Sequence, residues 1–137
     1  MDKESPNGEL YSIAVITVDG AVFQELRRAL ATSFKATLTD TEDEIKAAVE
    51  NPKLHALFLD LDSIGDGARD GIDVLREIRA IREDIVLVAM TKSSDRSIPL
   101  RASQSGADEF FLAPLNYAQL ETVLNRAVEK RAMELEG

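Results

Sequence analysis

The chain has 137 residues, a single-domain length, and its 16 lysines and arginines against 25 aspartates and glutamates leave a formal net charge of −9. A surface this acidic repels nucleic acid, and with no tryptophan and only 5% aromatic residues there is little for bases to stack on. The absence of cysteine excludes a disulfide framework and a thiolate metal site. No run of about 18 apolar residues offers a membrane span and no basic segment leads into an apolar one near Met1, so a soluble, cytoplasmic protein is expected.

Residues 1–9, with Pro6, Asn7 and Gly8, read as a disordered leader. LYSIAVITV (10–18) is β-branched enough for a buried strand and hands over at Asp19 and Gly20 to a helix in which Val22, Phe23, Leu26, Ala29 and Leu30 recur at helical spacing. FKATLT (34–39) is a short second strand. Thr39, Asp40 and Thr41 offer capping side chains to a helix over 42–50, which Asn51 and Pro52 stop. HALFLDL (55–61) is apolar throughout, as a parallel strand covered on both faces is, and an aspartate-rich loop leads to a helix marked by Ile72, Leu75, Ile78 and Ile81. DIVLVAMT (84–91) is the next strand, followed by the polar KSSDRS, a helix from about Ile98 to Ser105, and Gly106 to end it. ADEFFLA (107–113) is a fifth strand broken by Pro114. Asn116 then caps a long last helix carrying Leu120, Val123, Leu124, Ala127 and Val128.

Apolar strands that alternate strictly with amphipathic helices imply an α/β fold with a parallel sheet between helical layers, since each crossover is right-handed and must be covered. Ligands of such sheets gather beyond the carboxyl ends of the strands. Asp19, Asp60, Thr91 and Ala113 all fall at those ends. A bare carboxylate closing an apolar run is costly unless something meets its charge, which singles out Asp60.

On these residues the chain resembles a response-regulator receiver (CheY-like) domain over 10–132. The resemblance implies a flavodoxin-like (βα)5 three-layer sandwich with a five-stranded parallel sheet in the order 2-1-3-4-5. It makes Asp60 the phosphoacceptor and Thr91 the hydroxyl that contacts the phosphoryl group. Phe110 stands where receivers place the aromatic that rotates with that hydroxyl, although a plain core phenylalanine accounts for it equally well. Mg²⁺ is the implied metal, held by Asp19, Asp60 and the backbone carbonyl of Asp62, with the Asp62 side chain able to reach it as well. Helix phase puts Asp19 in the second acidic position, and its rival reading is a plain cap on the first helix. The peptide bond between Ala113 and Pro114 is expected to be cis.

Two departures weaken the resemblance. Val18 stands where the first acid of the pair belongs, and Ala113 where a lysine before proline would pair with the phosphoryl group. Ile64 also replaces a common proline, and the loop through GDGARDG is about three residues longer than receivers usually have. An EF-hand is excluded because the fifth and twelfth positions from Asp60 are Ile64 and Gly71. His55, the only histidine, lies at the wrong end of the sheet for chemistry at Asp60, and the pairs Arg27-Arg28 and Lys130-Arg131 read as solvated helix faces.

The resemblance therefore implies a two-component receiver domain, not an enzyme. Its phosphorylation at Asp60 is expected to be weak or slow, with a sensor histidine kinase as donor and the face of the fourth helix, fifth strand and fifth helix as its output or homodimer surface. Residues 133–137 read as the start of a linker helix toward an output domain, such as the AAA+ activators that similar receivers precede. The alternative is a degenerate receiver that binds partners without phosphorylation. A small flavodoxin-like enzyme or nucleotide binder is disfavoured because glycine-rich phosphate loops and a catalytic histidine or cysteine constellation are lacking.

Overall fold

The computed structural model describes residues 10–65 and 68–136. Strands and helices alternate as β1 (Tyr11–Ile16), α1 (Gly20–Leu30), β2 (Phe34–Leu38), α2 (Glu42–Glu50), β3 (Ala56–Asp60), a 3₁₀ turn (Leu61–Ser63), α3 (Gly71–Ile81), β4 (Val86–Thr91), α4 (Ile98–Gln104), β5 (Glu109–Leu112) and α5 (Tyr117–Glu136). All strand pairs are parallel, in the order β2-β1-β3-β4-β5. This is the flavodoxin-like order expected. The leader 1–9 lies outside the described residues.

The two-residue period of the strands sorts the core into two layers. Ile13, Val15, Phe58, Val88 and Met90 face α1 and α5, meeting Phe23, Leu26, Leu30, Leu120, Leu124 and Val128. Ala14, Ile16, Leu57, Leu59, Leu87 and Ala89 face the other way, against Val49 of α2, Ile72, Leu75 and Ile78 of α3 and Ala102 of α4. Every residue of β3 and β4 is buried, which is why their sequences show apolar runs rather than alternation. Each fully buried Leu, Ile or Phe there is worth about 1.5–3 kcal/mol over its exposed form.

Helix starts follow their capping chemistry. Asp19 caps α1 through the backbone N–H groups of Ala21 and Val22, while Thr41 with Glu44 and Asp70 with Asp73 form reciprocal capping boxes on α2 and α3. The strands are shorter than the apolar runs. β1 ends at Ile16, because Thr17 turns its hydroxyl toward β3 and Val18 is 75% exposed in the loop. β5 starts at Glu109, and just before it the Asp108 side chain accepts from the N–H of Leu87 and from Arg79. α5 continues to Glu136 without a break at 132.

Two glycines shape the long loop before α3. A Cβ on Gly71 would sit 2.6 Å from the Leu61 carbonyl oxygen, so only glycine lets α3 start against the 3₁₀ turn. Gly65 has φ +103°, and a Cβ there would meet the Arg69 carbonyl oxygen. Among the described residues no helix is long and apolar enough to cross a membrane.

Candidate functional site

Asp60 is the last residue of β3 and only 2% exposed. Its Oδ2 accepts hydrogen bonds from the hydroxyls of Thr17 and Ser63, both at 2.8 Å, and its Oδ1 accepts the Asp62 N–H at 3.1 Å. Three neutral donors thus compensate a buried carboxylate that forms no ion pair among the described residues, which answers the desolvation cost of its place in an apolar strand. Thr17 Oγ1 in turn accepts the Asp19 N–H at 3.0 Å, and Ser63 Oγ accepts the Val18 N–H at 3.1 Å. One carboxylate therefore ties the β1–α1 loop to the turn after β3.

Thr91 ends β4 and is 1% exposed. Its hydroxyl donates to Asp62 Oδ1 at 2.7 Å and accepts the Ser93 N–H at 3.1 Å, while Asp62 Oδ2 accepts the Lys92 N–H at 2.8 Å. Asp60 and Thr91 are joined through Asp62, whose backbone serves the one and whose side chain serves the other. Both Asp62 oxygens are directed to the end of β4 rather than into a shared acidic cage with Asp19.

Asp19 uses Oδ1 to cap α1, at 3.0 Å from the Ala21 nitrogen and 3.3 Å from that of Val22, and its Oδ2 lies 3.8 Å from the Lys92 ammonium. Every oxygen of the three acids thus has a partner. No group of three or more histidine, cysteine, aspartate or glutamate side chains among the described residues is set to hold a metal. In this arrangement the side chains of Asp19, Asp60 and Asp62 are each engaged by donors of the chain itself.

Phe110 is half-buried against the layer of α2, α3 and α4. The Ala113–Pro114 peptide is cis, and the Ala113 N–H donates to the Thr91 carbonyl at 2.8 Å, fastening the end of β5 to that of β4. His55 sits at the opposite end of the sheet. Its Nδ1 accepts the Ser12 N–H at 3.0 Å, its ring stands edge-on to Tyr11, and burial lowers its pKa. Arg27 and Arg28 pair within their own helix with Gln24 and Glu25, while Arg131 reaches Asp108 beside β5.

Thr17, Ser63 and Lys92 carry much of this site and were not singled out from the sequence. The available signal was adjacency: Thr17 and Lys92 are next to Val18 and Thr91, and Ser63 follows Asp60 by three residues.

The chain matches no protein-family model and no curated protein. Solved structures match nearly all of it. It is similar to a response regulator receiver domain protein (CheY-like) from Methanospirillum hungatei JF-1, with 17% identity and a TM-score of 0.79 over 92% of this chain and 99% of that one. NtrX from Brucella abortus, in complex with ADP, is 21% identical with a TM-score of 0.80 over 93% of this chain and 29% of that chain. A response regulator protein from Burkholderia pseudomallei, whose structure has a phosphorylated aspartic acid, a calcium ion and citrate, is 18% identical with a TM-score of 0.70 over 90% of this chain and 72% of that one. The chain has the fold of response-regulator receiver domains.

Proposed function

We propose that the chain is a receiver module of two-component signalling in which Asp60 accepts a phosphoryl group, slowly and incompletely, and thereby biases the face formed by α4, β5 and α5. The observation that carries this reading is the placement of one buried aspartate at the carboxyl end of the central strand β3, paired in register with Met90, the residue before the buried Thr91 of β4. The fold is shared with a protein whose structure holds a phosphorylated aspartic acid. In the transfer an Asp60 oxygen forms a bond to phosphorus. The bond from phosphorus to the donor, a phosphohistidine nitrogen or the acetate oxygen of acetyl phosphate, breaks with its electron pair on the leaving group.

Several features slow that step. Thr17 and Ser63 hold the carboxylate, and Ala113 before the proline offers no ammonium of the kind that would add about 1.5–3 kcal/mol of charge-assisted contact. Mg²⁺ is expected to bind weakly, because Asp19, Asp60 and Asp62 must first leave the donors they hold; bound, it would neutralise phosphoryl charge.

The partners of this reading are a sensor histidine kinase, a second copy or a binding protein at the α4, β5, α5 face, where Leu100 and Leu112 are exposed, and an output domain reached through the end of α5. Direct contact with nucleic acid is not expected at a net charge of −9.

Incubation with acetyl phosphate and Mg²⁺, read by intact mass, should add one phosphoryl group at low occupancy in the wild type and none in Asp60→Asn. No addition in the wild type favours the second reading, a partner-binding module independent of phosphorylation, which the full hydrogen bonding of Asp60 also supports. That reading fails if Asp60→Ala abolishes signalling in cells.

A further inference from the structure

Two donors converge at the end of β4: the Thr91 hydroxyl, buried at 1% exposure, and the Lys92 N–H beside it. Both point at the same group, one at each oxygen of the Asp62 carboxylate, at 2.7 and 2.8 Å. A hydroxyl and a backbone amide arranged this way form a receptor for a planar or tetrahedral oxyanion, and a charged acceptor strengthens each bond roughly twofold over a neutral one. The Lys92 ammonium itself lies 3.8 Å from Asp19. Asp62 itself is exposed and lies two residues beyond Asp60, whose Oδ1 it contacts through its backbone N–H.

We propose that Thr91 and Lys92 form an oxyanion seat which the chain fills with its own Asp62 carboxylate, so that the end of β4 already holds the arrangement a phosphoryl group on Asp60 would otherwise impose. The inference rests on the receiver reading above and deepens it. Thr91 is occupied in the unmodified protein, and an incoming phosphoryl group has to displace Asp62 before it can recruit the hydroxyl. The output face is thereby set toward one state before modification, and modification shifts it less than it would with the seat empty. Asp62 acts as a competitor for the seat, and its removal frees two donors for the modified Asp60.

The test uses the whole chain and beryllofluoride with Mg²⁺ as the phosphoryl probe, titrated by NMR while the Lys92 amide and Thr91 methyl signals are followed. Wild type is compared with Asp62→Ala, Asp62→Asn, Asp60→Asn and, as a charge control on the β4–α4 loop, Asp95→Asn. Asp62→Ala should bind the probe about tenfold more tightly than wild type, as expected for two charge-assisted donors set free. The Lys92 amide should shift on removal of Asp62 and return toward its wild-type position when the probe binds. Asp62→Asn should fall between the two, and it carries the comparison if the alanine variant does not melt cooperatively.

Asp95→Asn should stay within about twofold of wild type, because it removes one charge without touching the seat. A gain equal to that of Asp62→Ala in this control would overturn the proposal. Equal affinity in wild type and Asp62→Ala with an unmoved Lys92 amide would also overturn it, while leaving Asp60 as an acceptor. Binding lost only in Asp60→Asn is the support the receiver reading requires, and absence of binding in every form would remove both.

Discussion

The two ends of the sheet are closed by opposite chemistry. At the carboxyl end Asp19, Asp60 and Asp62 are held almost entirely by hydroxyls and backbone amides. At the amino end the work is done by two arginines. Arg82, 8% exposed, donates to the carbonyls of Val49, Asn51 and Leu54 and to Asp84, and its hydrogen bonds hold the Asp84 carboxyl below its usual pKa. Arg79 donates to the carbonyls of Gly106, Arg82 and Ile85 and to Asp108. A guanidinium has no second state to move to, because its fork fits several acceptors at once and stays charged. Hydroxyls and amides exchange one anion for another at much lower cost. The amino end is therefore built to hold and the carboxyl end to exchange, although both are equally well hydrogen-bonded.

The comparison can be broken at three points. Arg82→Ala takes a donor from the carbonyls of Val49, Asn51 and Leu54 and the partner from Asp84, and should lower stability by about 3 kcal/mol in chemical denaturation. Lysine should rescue little of this loss, since one ammonium does not reproduce the fork. At the other end Thr17→Val keeps the volume and removes one of the three donors to Asp60, and should cost about 1 kcal/mol. A loss as large as that of Arg82→Ala would erase the distinction between the two ends.

The smallest effect is expected at His55. Burial lowers its folded pKa below the unfolded 6.5, and the neutral ring accepts the Ser12 N–H. Its contribution is complete above the unfolded pKa and is lost as pH falls through the lower folded value. Melting temperatures of wild type should therefore drop more steeply than those of His55→Gln as the pH is lowered below about 6.5.

The sheet order and the strand-end location of the site were legible because fully covered parallel strands leave unbroken apolar runs, and Asp60 and Thr91 close two of them. The helix caps were legible for a similar reason: Thr41 with Glu44 and Asp70 with Asp73 are local in sequence. What the side chains do across the site was not. Thr17 meets Asp60 from 43 positions away and Asp62 meets Thr91 from 29, and such contacts leave no periodicity. For the same reason Asp62 reads from sequence as a metal neighbour, whereas its oxygens go to Thr91 and Lys92. Asp19 serves as the cap of α1 with one oxygen and faces Lys92 with the other, so its helix-capping role is the one its hydrogen bonds show.

The loop leading to α3 is pinched at its neck, with Gly65 pressed against Arg69 and Asp70, and Gly71 against Leu61. A side chain at either glycine would press on backbone: at Arg69 and Asp70 in the first case, and at Leu61, the residue between Asp60 and Asp62, in the second. Gly71 is thus the position where even a methyl group is felt at the end of β3, because the start of α3 and the turn carrying Asp62 share that contact.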